Sequence, residues 1–171
     1  MTQQAHSEKR SGKLAPLSQE HGEGLLFVKR LRQGIANRIM PDTIAAYCIW
    51  YWKYHIKPHF RHEEDILMAE LPKDNELVKR MCAEHETIRE LMLSLDKEAD
   101  RPTLTHLANL IHDHIYFEED ELFRHIERVL PADSLEKIHQ QLEQKPLPHT
   151  VEWPDKFWEI QPIDNNDSPH S

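Results

Sequence analysis

The chain has 171 residues, enough for one domain with a real core, and a formal charge of −9 from 21 basic and 30 acidic residues. No basic tract stands out, so neither nucleic acid nor an anionic membrane surface is an expected partner. The first residues hold no apolar leader-like run, no later run is long enough to span a bilayer, and with only four glycines and few alternating stretches a sheet is not expected.

Residues 1–15 are polar and are expected to form a flexible segment ahead of one domain over residues 16–145, with a tail over 146–171. A first helix is expected from Ser18, a good N-cap, to about Ile35, and its apolar stripe of Leu17, Leu25, Val28 and Leu31 includes His21. A second follows Pro41, with Asp42 as cap, and reaches about Leu71. Its inner face reads Ile44, Cys48, Tyr51 or Trp52, His55, His59, Glu63 and Ile66. Pro58 lies inside it and predicts a bent backbone just before His59, because proline removes a helix hydrogen bond. A third helix runs from near Asp74 to near Leu95, with Val78, Met81, His85, Ile88 and Met92 on one face. A fourth follows Pro102 and reaches about Val129, with Leu107, Ile111, His114, Glu118 and Leu122 on one face. A short fifth is expected from Asp133, which has capping-box spacing to Glu136. Trp153, Phe157 and Trp158 in the tail are able to pack on the body of the protein, at a place the sequence does not indicate. Cys48 and Cys82 are too few for a disulfide framework and read as small core residues, which fits a reducing, cytoplasmic setting.

The fold class is therefore all-α: an up-down-up-down four-helix bundle with a short extra C-terminal helix and an extended tail. Two stretches of it nearly repeat. One reads His59-Phe60-Arg61-His62-Glu63-Glu64-Asp65-Ile66-Leu67, the other His114-Ile115-Tyr116-Phe117-Glu118-Glu119-Asp120-Glu121-Leu122. A second echo is Glu20-His21 and Glu84-His85. A His and a Glu four apart share one face of a helix. A single such pair means little among 13 histidines, and His139 with Glu143 is read as a coincidence of a polar helix. The longer pattern differs because each special His takes a core position. A pseudo-twofold axis relating the first two helices to the last two would bring His21, His59, Glu63, His85, His114 and Glu118 together inside the bundle. Four imidazoles and two carboxylates exceed what one tetrahedral zinc needs. Two carboxylates from opposite helices can each bridge two metals, leaving imidazoles to cap each one.

The order His, His-x-x-x-Glu, His, His-x-x-x-Glu resembles that of the hemerythrin-like (HHE cation-binding) family. The segments PLSQEHGEGLL, HIKPHFRHEED and DHIYFEEDELF carry the likeness, over roughly residues 15–130. The resemblance implies a non-haem centre of two Fe ions in a four-helix bundle. His21, His59, His85 and His114 would be terminal ligands, and Glu63 and Glu118 would bridge. In hemerythrins proper a further His precedes the third-helix ligand by four residues, a slot held here by Met81. His55, one turn before His59, is expected either to supply a fifth imidazole from the second helix or to line the path to the metals. Oxygen carriers place an Asp five residues after the last His. Here Glu118 comes at four, and Glu119, at five, is the less favoured ligand.

The remaining polar and aromatic residues read more plainly. His62 and Glu64 are expected to be solvated, His112 to face outward, and His125 to be a hydrogen-bonded core residue. Trp50 and Trp52 are expected to pack, and Tyr47, Tyr51 and Tyr116 either to pack or to support the site. The expected function is binding or sensing of oxygen, nitric oxide or iron, with O2 or NO as partner at the metals. The alternative is a stress-response enzyme or iron donor that reduces nitric oxide or peroxide or repairs iron–sulfur clusters. The repair proteins of the family carry a cysteine-bearing N-terminal domain, and this N-terminus has no Cys. The Glu-x-x-His order of ferritin-like oxidases is absent.

Overall fold

The computed structural model describes residues 10–146 and 152–159. Residues 1–9, most of the segment expected to be flexible, and residues 147–151 and 160–171 of the tail lie outside the described residues.

Helix α1 spans Ala15–Ala36 and starts a turn earlier than a cap at Ser18 would place it. Pro16 sits in its first turn, where a missing N–H removes no helix hydrogen bond, so the chain enters the helix directly after Leu14. Ser18 is left inside the helix, and its hydroxyl hydrogen-bonds the Glu119 carboxylate. Leu14 is fully buried and Arg10 pairs with Glu119 (2.6 Å) and Glu127 (3.3 Å), so residues 10–14 are fastened to the bundle.

The second rod, residues 41–70, is built in five pieces. These are α2 (Pro41–Tyr51), a π turn (Trp52–Ile56), α3 (Lys57–His62), a second π turn (Glu63–Leu67) and a 3-10 turn (Met68–Glu70). Its N-cap is Met40, with Asp42 in the first turn, where a carboxylate favours the helix dipole. The disruption expected from Pro58 takes the form of the first π turn, closed by Lys57 N–H donating to the Trp52 carbonyl just upstream of the proline. A π turn adds one residue to the ladder, and each residue turns the helix by about 100°. Ile44, Cys48 and Tyr51 ahead of it and Trp52 at its head stay buried on the expected stripe, while His55 inside it is half-buried.

Helix α4 (Glu76–Ser94) begins at Asn75 rather than Asp74; the Asn75 side chain accepts from the N–H groups of Leu77 (2.9 Å) and Val78 (3.3 Å). The last rod, residues 101–129, is α5 (Arg101–Phe117), a third π turn (Glu118–Leu122) and α6 (Phe123–Val129). Asp100 caps it, accepting from Thr103 N–H at 2.7 Å. Helix α7 (Ala132–Gln144) follows Pro131. The expected capping box does not form: there is no side-chain cap, and Glu136 instead pairs with Lys13 at 2.5 Å.

α1 packs on α5 and α2, and α4 packs on the same two. The connections at residues 37–40, 71–75 and 95–100 are short, which makes successive rods antiparallel, the up-down-up-down arrangement. Among the described residues there is no strand, and no helix is long and apolar enough to cross a membrane. The core falls into two apolar layers. One holds Phe27, Leu31, Tyr47, Ile88 and Leu107, the other Leu14, Leu17, Met81, Phe123 and Ile138. The buried His and Glu side chains belong to neither. Cys48 is buried in the first layer and Cys82 is half-buried beside Met68; both are free thiols.

The tail reaches the first layer. The Phe157 ring is buried, edge-on to Tyr47 at 5.4 Å, and fills the space over Gly34. Trp158 covers the Arg30 guanidinium at 4.5 Å, and its carbonyl accepts from the Asn37 side chain.

Candidate metal centre

Six side chains meet in the bundle interior: His21 from α1, His59 from α3, Glu63 at the head of the second π turn, His85 from α4, His114 from α5, and Glu118 at the head of the third π turn. All six are buried, and Glu63, His85 and Glu118 have no exposed surface. They form two overlapping groups: His21, His59, Glu63 and Glu118, and Glu63, His85, His114 and Glu118. Within each group the candidate donor atoms lie within 4.8 Å of one another. The two carboxylates belong to both.

Each imidazole turns Nε2 inward. His59 Nε2 is 2.8 Å from Glu63 and His114 Nε2 is 3.0 Å from Glu118, the two i,i+4 pairs of the repeated motif. The crossing contacts are His85 Nε2 to Glu63 (3.0 Å) and His21 Nε2 to Glu118 (2.9 Å). Each imidazole also turns Nδ1 outward to another carboxylate. The partners are Glu119 for His21 (2.6 Å), Glu20 for His59 (2.5 Å), Glu64 for His85 (2.9 Å) and Glu84 for His114 (3.2 Å). A carboxylate accepts at Nδ1 only if that nitrogen carries the proton, so the outer ring leaves Nε2 free to act as a donor atom toward the centre. Glu64 is therefore not simply solvated as expected. Glu119 faces the outer nitrogen of His21 instead of the cluster.

These outer carboxylates follow the same internal repeat. Glu20 and Glu84 each precede a special His, and Glu64 and Glu119 each follow a special Glu. Each Glu-Glu pair grips one imidazole of a facing helix by both nitrogens: Glu63 and Glu64 hold His85, and Glu118 and Glu119 hold His21. The ring planes are fixed further by stacking, Phe60 on His85 at 3.7 Å and Phe123 on His21 at 5.3 Å.

The electrostatics are those of a dense buried cluster. Burial alone would lower the His59 and His85 imidazoles, but the carboxylates raise them to about 9 and about 11. His21 and His114 are raised for the same reason. Burial would raise Glu118, and so would Glu63 nearby, yet the surrounding imidazoles hold it down to about 2, with Glu63 also well below the ordinary range. Even so, all four oxygens of Glu63 and Glu118 and the Nε2 atoms of His85 and His114 are buried without a hydrogen bond. Buried polar groups in folded proteins find partners. Six orphaned donor atoms aimed at one space, with imidazole and carboxylate combined, match the needs of a metal pair.

His55 is outside both groups. It lies in the first π turn, and its ring stacks on Tyr51 at 4.4 Å and meets Trp50 edge-on at 5.4 Å. Burial lowers its imidazole. It lines a cavity of about 910 Å³ that also touches His21, His59 and His114. His125 is half-buried and hydrogen-bonds the Asn75 side chain at 3.0 Å, and His112 lies at the surface beside Asp113. His139 pairs with Glu143 at 3.2 Å on α7, apart from the six-residue cluster.

Fold and site together define an all-helical bundle with a buried His/Glu cluster suited to a dimetal centre. The profile of the hemerythrin HHE cation-binding domain matches residues 13–126, and the chain belongs to that family. No curated protein and no solved structure matches it.

Proposed function

We propose that the cluster holds two iron ions and binds or senses a small diatomic ligand, O2 or NO, there. The carrying observation is the pair of overlapping donor groups that share Glu63 and Glu118. In this reading His21 and His59 cap one position and His85 and His114 the other, while the two shared carboxylates bridge. His55 lines the approach. Two irons so held would offer an open coordination position and exchangeable electrons to a diatomic ligand. The chain's own part is to hold the donors rigid, keep bulk water out and fix every imidazole tautomer through the outer carboxylates. Imidazole-rich donation favours the reduced state, whereas the outer carboxylates make each imidazole a stronger donor.

The test is metal analysis of protein from iron-supplied cells, with visible spectra taken anaerobically and then in air. About two irons per chain and a band that reverses on deoxygenation is the expected result. An irreversible change favours the enzyme or iron-donor alternative, and zinc or no metal despite available iron rejects the iron assignment. Loading the metal-free protein at neutral pH should also release protons, because His59 and His85 titrate near 9 and 11 and must give up their protons to bind metal. Titration calorimetry in two buffers of different ionisation enthalpy measures that release.

Glu64→Gln removes a carboxylate acceptor from His85 Nδ1. Metal affinity should fall by roughly 10–100-fold, as for other partners of metal-bound imidazoles. Competition against a chelator measures this. Glu76→Gln is the control, since Glu76 pairs with exposed Lys79 and should change nothing.

A further inference from the structure

A diatomic ligand fills about the volume of one water, roughly 30 Å³. The cavity beside the cluster measures about 910 Å³, near the upper end of sites that enclose whole organic molecules, roughly 300–1,000 Å³. It lies between α1, α3, α5 and α7. The side walls are apolar, from Gly24, Ile56, Ile111 and Ile115, with the rings of Tyr51 and Phe60. The floor is the imidazole layer of His21, His59 and His114. Glu23 and Glu143, both exposed, mark the mouth, Glu143 sharing a 3.2 Å contact with His139, which also lines the cavity, and Glu20 is engaged by His59. No Lys or Arg lines the cavity among the described residues, and the charge of each floor imidazole is matched by a carboxylate at both ring nitrogens. An anion would meet these carboxylates inside a chain that already carries −9, whereas a cation would be drawn to the mouth.

From this arrangement we propose that the cavity binds a small organic cation: an amine head held at the acidic mouth by Glu23 and Glu143, and an alkyl or aryl body between the isoleucine walls. The site needs no metal, so it stands apart from the iron assignment. It gives the centre a neighbour larger than a gas molecule, with the inner end of that neighbour against the imidazole floor. Gly24 lets α1 pass close to Ile115 of α5, since a Cβ there would lie 2.9 Å from Ile115 Cδ1.

The probe is 1-naphthylmethylamine, compared with 1-naphthoate, which has the same ring system and the opposite charge. Both are titrated calorimetrically into the full chain, metal-free and metal-loaded. The expected result is one saturable amine site per chain in both forms, with naphthoate at least about tenfold weaker. Glu23→Gln, at an exposed position that the fold does not need, should weaken the amine severalfold and leave metal content unchanged. Ile111→Trp should block the amine while circular dichroism still reports the helices. Absence of saturable amine binding overturns the proposal. So does equal binding of amine and naphthoate, which would make the cavity an uncharged apolar passage, and so does a Glu23→Gln variant that binds like wild type. None of these outcomes depends on metal content, so failure here and failure of the iron reading are told apart.

Discussion

Glu63→Gln is expected to cost the chain both metal positions, whereas His114→Ala should cost only one. Glu63 belongs to both donor groups, and His114 to the second alone. A neutral amide has the shape of the carboxylate but cannot bridge two cations with the same charge. Loss of affinity at both positions should exceed the roughly 10–100-fold that partners outside the donor set contribute. Glu118→Gln should behave as Glu63→Gln does, because the two residues are related by the internal repeat. With His114 gone, the group of His21, His59, Glu63 and Glu118 remains intact, and one ion per chain should stay. Metal content per chain after passage over a chelating resin, with helical dichroism as a check on folding, gives the answer. Equal losses in the two variants would mean that the carboxylates are not shared.

The second large effect is on stability and sits at the other end of the bundle. Phe157→Ala should lower stability by about 3 kcal/mol, the low end for a buried Phe, and so lower the melting temperature by roughly 6–12 °C for a chain of this size. The ring is only 6% exposed and rests on Gly34 and Tyr47. A Cβ at Gly34 would stand 2.5 Å from Phe157 Cε2 and 2.7 Å from Cδ2, so Gly34→Ala should also destabilise by expelling the ring. The sign should reverse when Phe157 is already Ala. With the ring gone, Ala at position 34 gains helix propensity of about 1 kcal/mol and meets only the Ile44 Cδ1 methyl at 3.3 Å, the end of a side chain that can shift into the vacated space. Thermal melts of the two single variants and the double variant measure this coupling. Additive effects would show that the tail does not rest on Gly34.

The four rods and the six converging residues were legible in the sequence because apolar spacing and the His/Glu repeat agree. His21, His59, His85 and His114 each fall where a core residue is due, so one pattern announces both the fold and its interruption. The π turns were not legible. Each inserts a single residue, and a stripe read over a few turns absorbs such a shift without showing it. His55, four residues before His59, lies in such a widened turn and lines the same cavity as His59. Pro58 signalled that something happens there but not its form. The start of α1 was missed because a polar cap at Ser18 was weighed above Pro16, whose fixed backbone suits a first turn. The outer carboxylates were visible as Glu-His and Glu-Glu pairs. Their role was not, because it depends on which helix stands across from each, and that is known only once the bundle is assembled. The tail showed its aromatic residues, while the place they occupy is set by a glycine far away in sequence.

The internal repeat makes the two donor groups chemical twins, but the cavity serves them unequally. His85 is sealed at 0% exposure under the Phe60 ring, while His21 and His59 of one group, and His114 of the other, line the cavity. A visitor arriving from that side meets both imidazoles of one twin but only one imidazole of the other. Symmetry of donors thus coexists with an uneven approach, and the two twins differ in access more than in chemistry.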